Sequence, residues 1–136
     1  MKRSSLMLGL AAAASLALQG ARAEPAASDG KTVFAKNCAA CHQASGVGIP
    51  GAFPALKGNP YLQGDAEAVL ATVLKGRAGM PAFAASLDDA QLAAVLSYAR
   101  SAWGNQAGAI GSAQAAAVRS GAGLPAVAPE KGTIIH

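Results

Sequence analysis

Residues 38–42 read Cys-Ala-Ala-Cys-His and contain both cysteines and one of the two histidines of a 136-residue chain. At helical spacing, two thiols three residues apart can each reach one vinyl group on the edge of a porphyrin, and the adjacent imidazole then projects at the iron. This is the spacing that attaches haem c. Other uses of the same five residues are weaker. A structural zinc site needs about four nitrogen or sulfur ligands, and the terminal His136 is the only other imidazole. A thioredoxin-type dithiol expects a strand and helix unit around it, and no alternating run in this chain reads as a strand. A disulfide between Cys38 and Cys41 would suit an exported protein but gives His42 no role.

The first residues support export. Lys2 and Arg3 precede an apolar run over residues 6–18, and Ala21-Arg22-Ala23 offers small residues at the two positions a signal peptidase inspects. The run, about 13 residues, is shorter than the roughly 20 of a membrane-spanning helix. Residues 1–23 are therefore expected to be a cleaved signal peptide, the mature chain to carry no transmembrane segment, and the location to be periplasmic. No cysteine adjoins the cleavage point, which argues against a lipoprotein anchor. The chain has a net charge of +4, from 11 basic and 7 acidic residues. Cleavage after Ala23 removes Lys2, Arg3 and Arg22 and no acid, so eight basic residues remain against seven acidic and the charge falls to +1. The case for nucleic-acid binding rests on a strong basic excess, and it goes with the leader.

Asp29 is placed to cap a helix over residues 30–40 that carries Gly30, Val33, Phe34 and Asn37 on one face. Residues 46–60 hold seven glycine or proline interruptions and must be loop. Asp65 caps a second helix over residues 66–75, with Val69, Leu70, Val73 and Leu74 as its apolar stripe and Gly76 as its stop. Residues 76–84, including Met80-Pro81, return to loop. Ser86, with Asp89 three residues later, has the form of a capping signal and opens a third helix to about residue 102, buried through Leu92, Val95, Leu96 and Ala99. A short fourth helix is expected over residues 113–119. The fold class is all-α, three to four helices joined by long Gly and Pro loops. The domain organisation is a leader over 1–23, a helical domain over 24–104 and an Ala- and Gly-rich extension over 105–136.

Such a chain has little side-chain mass for a core. Six aromatic residues and helices made mostly of alanine bury too little apolar area to offset the ordering of the loops. One covalently held haem would supply the missing interior. With Met1 and Met7 in the leader, Met80 is the only thioether of the mature chain, 38 residues after His42 in a loop without helical neighbours. A soft, neutral sulfur there suits the sixth iron position and raises the reduction potential; the other use of a lone methionine is to fill a core gap. An iron-bound histidine donates its second ring N–H to a carbonyl or carboxylate, and the carbonyls of Pro50 and Pro54 are the candidates.

These residues resemble the class I c-type cytochromes. The resemblance runs over residues 30–104 and rests on Gly30 and Phe34, Cys38-x-x-Cys41-His42, Pro54-x-Leu56-x-Gly58, Gly79-Met80-Pro81, and Leu92 with Tyr98 in the last helix. It implies the small cytochrome c fold, helices wrapped around one covalent haem. Cys38 and Cys41 would hold the haem, His42 and Met80 would be its axial ligands, and Pro54 and Leu56 would line its pocket. It further implies that Gly30, Phe34, Val95 and Tyr98 pack together where the first and last helices cross, and that the Pro54 carbonyl accepts from His42. The wording from Cys41 through Leu56, with Tyr-Ala-Arg-Ser-Ala-Trp-Gly-Asn after it, is similar to cytochrome subunits of bacterial periplasmic alcohol and sugar dehydrogenases.

The resemblance implies an electron carrier rather than an enzyme, taking single electrons from a periplasmic dehydrogenase and passing them to a terminal oxidase or another cytochrome. A haem enzyme or gas sensor would need an open sixth position, so Met80 is the discriminating residue. An obligate electron-accepting subunit of a dehydrogenase complex is the third reading. Ile49, Phe53 and Phe83, with Lys57, Lys75 and Arg77, are the expected docking ring.

Overall fold

The computed structural model describes residues 29–121; the expected leader over 1–23, the tether to residue 28, and the tail beyond 121 with His136 lie outside the described residues. Five helices follow in chain order: α1 Gly30–Asn37, α2 Ala39–His42, α3 Ala66–Lys75, α4 Asp89–Ser101 and α5 Ser112–Arg119. No strand forms among the described residues, only two isolated antiparallel bridges, Ile49 with Phe53 and Arg77 with Met80.

The starts of α1, α3 and α4 follow from side-chain oxygens that take up orphan backbone N–H groups. Asp29 accepts from the amides of Lys31 and Thr32 and, at 2.6 Å, from the Thr32 hydroxyl. The hydroxyl bond is the leading reason its carboxyl sits below the usual value. Asp65 accepts from Ala68 N at 2.7 Å, and Gly76, at φ +76°, ends α3 where the sequence places its stop. α4 differs from the expected start. Its cap is Asp88, in a reciprocal box with Gln91: Gln91 N donates to Asp88 Oδ1 at 2.7 Å and Asp88 N to Gln91 Oε1 at 3.0 Å. Ser86 instead turns its hydroxyl back to Phe83 O. Leu87 and Leu92, flanking this cap in the positions of a hydrophobic staple, are both buried, which fixes the later start.

The first helix is also shorter than the sequence suggests. Cys38, at φ −121°, divides it into α1 and α2, although Cys38 N still donates to Phe34 O and His42 N to Cys38 O. The break thus falls on the first residue of the Cys-x-x-Cys-His motif.

α1 lies across α4, and Gly30 sits at the crossing. A Cβ built there would come within 2.1 Å of Ala94 O and 2.8 Å of Tyr98 Cβ. Beside this contact Phe34, Tyr98 and Trp103 form a triad of tilted and edge-on rings with centroids 5.2–5.7 Å apart. Helix propensity alone favours alanine at Gly30 by about 1 kcal/mol. The backbone collision reverses that sign, and Gly30→Ala is expected to destabilise the haem-loaded protein by about 2–3 kcal/mol. Guanidinium unfolding should show the midpoint falling with little change in slope; an unchanged midpoint would mean that the helices do not depend on this approach.

α5 packs on both α3 and α4. The connection to it is held by two buried polar residues. Arg100 donates from Nη1 to Leu62 O at 2.7 Å and Gly64 O at 2.9 Å, and from Nε to Gly108 O at 2.9 Å. Asn105 donates to Leu56 O and Ala99 O and accepts from Gly58 N at 2.8 Å. Ile110 and Ala115 complete the contact as buried core residues.

Candidate haem site

Between α1–α2, the loop over residues 52–62, α3, the loop around Met80 and α4 lies a cavity of about 510 Å³ with a mostly apolar lining. Cys38, Cys41, His42, Pro54, Leu56 and Met80, which the sequence scatters over 43 positions, all face it. Pro50 instead lines a separate shallow groove with Val47 and Phe53.

His42 is held by the turn that follows α2. It is 9% exposed, and its Nδ1 lies 2.9 Å from the carbonyl oxygen of Pro54. A carbonyl only accepts, so Nδ1 carries the proton and Nε2 keeps the free lone pair. The loop reaches this position because Gly48, at φ +63°, lets two backbones close up: a Cβ there would lie 2.4 Å from Phe53 O and 2.6 Å from Pro54 O. Gly48 N also donates to His42 O. Asn105 fastens the far end of the same loop through Leu56 and Gly58, and Trp103 Nε1 donates to Ala44 O at 3.0 Å.

Met80 is half-buried and sits in a tight turn closed by two backbone bonds, Met80 N to Arg77 O at 2.9 Å and Arg77 N to Met80 O at 3.1 Å. Ala78 inside this turn takes φ +50°. The chain after it is pinned back to α3, Phe83 N donating to Val73 O and Ala84 N to Leu74 O.

No disulfide joins Cys38 to Cys41, and burial, with Cys41 adding to it, pushes the Cys38 thiol up to about 11 before haem attachment. No cluster of three or more His, Cys, Asp or Glu able to hold a metal ion exists among the described residues. The polar lining is concentrated elsewhere: Arg77 stacks over the Tyr61 ring at 5.4 Å, and Tyr61 Oη meets Thr72 Oγ1 at 2.6 Å. An apolar slot with thiols, one imidazole lone pair and a thioether on its walls, and a cationic and hydroxylic cluster besides, fits a porphyrin with carboxylate substituents.

Of the expected docking ring, Ile49 and Phe53 are exposed at 40% and 36%, and Lys57, Lys75 and Arg77 are exposed as well, with Arg77 lying over the exposed Tyr61 ring; Phe83 is the exception, half-buried and packed against the core. Sequence reasoning missed Arg100, Asn105 and the packing of Trp103. Their partners are mostly distant backbone carbonyls, which leave no local pattern.

The family described as "Cytochrome C oxidase, cbb3-type, subunit III" matches residues 25–98. The cytochrome c subunit of a quinone-dependent alcohol dehydrogenase from Gluconobacter oxydans is 34% identical over 90 residues, covering 57% of this chain and 19% of that protein. The cbb3-type oxidase subunit CcoP of Azospirillum brasilense is 42% identical over 88 residues, covering 60% of this chain and 30% of that one. This chain thus spans less than a third of either. Cytochrome c6 of Leptolyngbya boryana is 43% identical over 75 residues, covering 54% of this chain and 87% of its own length. With a helical fold closed around an apolar slot and one Cys-x-x-Cys-His motif on its wall, the chain belongs to the class I cytochrome c family and binds one covalently attached haem c.

Proposed function

We propose that this monohaem electron carrier works in the periplasm, released there from its leader over residues 1–23, and links a dehydrogenase to a terminal oxidase or another cytochrome. Residues 24–104 form its haem domain and 105–136 an extension. Cys38 and Cys41 would hold the haem through thioethers, and His42 Nε2 and the Met80 sulfur would be its iron ligands. The observation that carries this reading is the placing of His42 and Met80 on the walls of one apolar cavity, with His42 Nδ1 committed to Pro54 O.

A haem held by these residues would supply a one-electron ferric–ferrous couple. The chain's residues do the rest. The Pro54 carbonyl fixes the tautomer of His42 and raises the basicity of its ring. The neutral thioether and the apolar walls favour the form with less charge on the iron, so the potential is positive. No side chain takes or gives a proton in this scheme, and no substrate meets the metal. Pro54 and Leu56 shape the pocket wall beneath Phe53, and the exposed Val47, Ile49 and Phe53 form an apolar rim for brief docking, in keeping with the small interfaces of electron-transfer partners.

Service as a subunit is a second reading, supported by the alcohol dehydrogenase subunit and CcoP among the relatives. Mixing the ferric protein with a periplasmic extract and adding alcohols or sugars one at a time tests both. Substrate-dependent appearance of the ferrous bands is expected, and reoxidation on adding oxidase-containing membranes. Stoichiometric co-purification with an untagged dehydrogenase would favour the subunit; no reduction with any substrate would sink the dehydrogenase link.

A further inference from the structure

The family match ends at residue 98, yet the chain continues into α5, whose last residue makes a three-way contact with the segment behind Met80. Arg119 Nε donates to Asp89 Oδ1 at 2.7 Å, Nη2 to Leu87 O at 2.6 Å, and Nη1 to Ala84 O. The three acceptors belong to residues 84–89, which begin four residues after Met80. A guanidinium forked over one carboxylate and two carbonyls holds such a segment in one geometry.

The other end of the Met80 loop leaves α3, and α5 packs on α3 as well, with Ala115 fully buried and Val118 half-buried against the core. Phe83 and Ala84 donate to the last carbonyls of α3, Val73 and Leu74. Thus the loop's two roots meet under α5: one by packing, the other through Arg119. Within the loop the turn from Arg77 to Met80 has only its own two backbone bonds and carries Ala78 at φ +50°. Such a turn keeps its shape when its ends are fixed.

We propose that Arg119 is a positioning residue for Met80: by fastening residues 84–89 to α5 it keeps the Met80 loop closed against the haem pocket. The inference rests on the reading of Met80 as the sixth iron ligand. It adds that part of the hold on the ligand comes from the C-terminal extension, through a residue that touches neither haem nor iron.

The test uses the full haem-loaded chain and imidazole, which competes with the methionine for ferric iron. Loss of the Met-to-iron charge-transfer band is followed as imidazole is added. Each hydrogen bond to a charged group is worth enough to shift a local equilibrium severalfold, so Arg119→Ala is expected to lower the apparent imidazole Kd by about tenfold. Arg119→Lys should recover part of the difference, since an ammonium can keep Asp89 but not the whole fork, and Asp89→Asn should fall between wild type and Arg119→Ala. If Arg119→Ala yields no haem-loaded protein, Arg119→Lys and Asp89→Asn carry the same ordering. Kd values equal to wild type, even with lower melting temperatures, would overturn the proposal and leave Arg119 a purely structural residue. A wild-type ferric protein lacking the band would remove Met80 ligation and this proposal with it; a wild-type band with unchanged variant Kd removes this proposal alone.

Discussion

Replacing both Cys38 and Cys41 with alanine is expected to leave a chain that carries no haem on a denaturing haem-stained gel and has lost most of its helical signal in far-UV circular dichroism. The reason is the size of the slot that α1 to α4 and their loops surround. A haem filling this slot of about 510 Å³ buries its mostly apolar lining and packs against it. Domains of this size have a total stability of about 5–15 kcal/mol, a margin too small to absorb the loss of that much apolar contact. The remaining core cannot absorb the loss: Leu70 and Leu92 are its largest fully buried side chains, and the aromatic triad lies at the crossing of α1 and α4. Single replacements should be milder, since one thioether still tethers the group. A double variant with native helix content and no haem would show that the helices close on their own, and would remove the argument that the cofactor is the core.

That dependence also explains which parts of the molecule could be read in advance. α3 follows from its own residues, because Asp65, the stripe Val69, Leu70, Val73 and Leu74, and Gly76 supply start, buried face and stop within a dozen positions. The convergence of Cys38, Cys41, His42 and Met80 on one cavity could be anticipated from scarcity, as few residues of the mature chain have donor atoms suited to iron. The start of α4 was misplaced by two residues because Ser86 and Asp88 both look like caps, and only the burial of Leu87 decides between them. The break at Cys38 has no signal in local propensity. Arg100, Asn105 and Arg119 were opaque for a different reason. Each binds carbonyls between 6 and 49 residues away, and a carbonyl belongs to every residue, so nothing in the partner's identity marks the pairing. These three tie the extension to the haem domain, which is why the residues after the last family motif read as a featureless run.

Met80→Ala should separate the two roles of the pocket, holding the haem and closing the iron. The covalent attachment would come from Cys38 and Cys41 and not from Met80, so haem staining is expected to stay at the wild-type level, unlike the cysteine variant. The turn itself should survive, since its bonds from Met80 N to Arg77 O and from Arg77 N to Met80 O, and those of Phe83 and Ala84 to α3, are all backbone. What disappears is the thioether. The charge-transfer band should vanish, the ferric spectrum become high-spin, and the reduction potential fall by on the order of 0.2 V within the roughly 0.8 V range that axial ligands command. Carbon monoxide supplies the complementary readout. The wild-type ferrous protein should bind none at neutral pH, and the alanine variant should bind it readily, because the space left beside Ala78 and Phe83 then opens onto the metal. The contrast matters more than either measurement. If the wild type already binds carbon monoxide, the sixth position is open in the native protein, Met80 serves as packing, and the chain is a ligand-binding haem protein. If both refuse it after the band is lost, another side chain has taken the site, and Lys75, exposed at the end of α3 where the Met80 loop begins, is the amine to replace next.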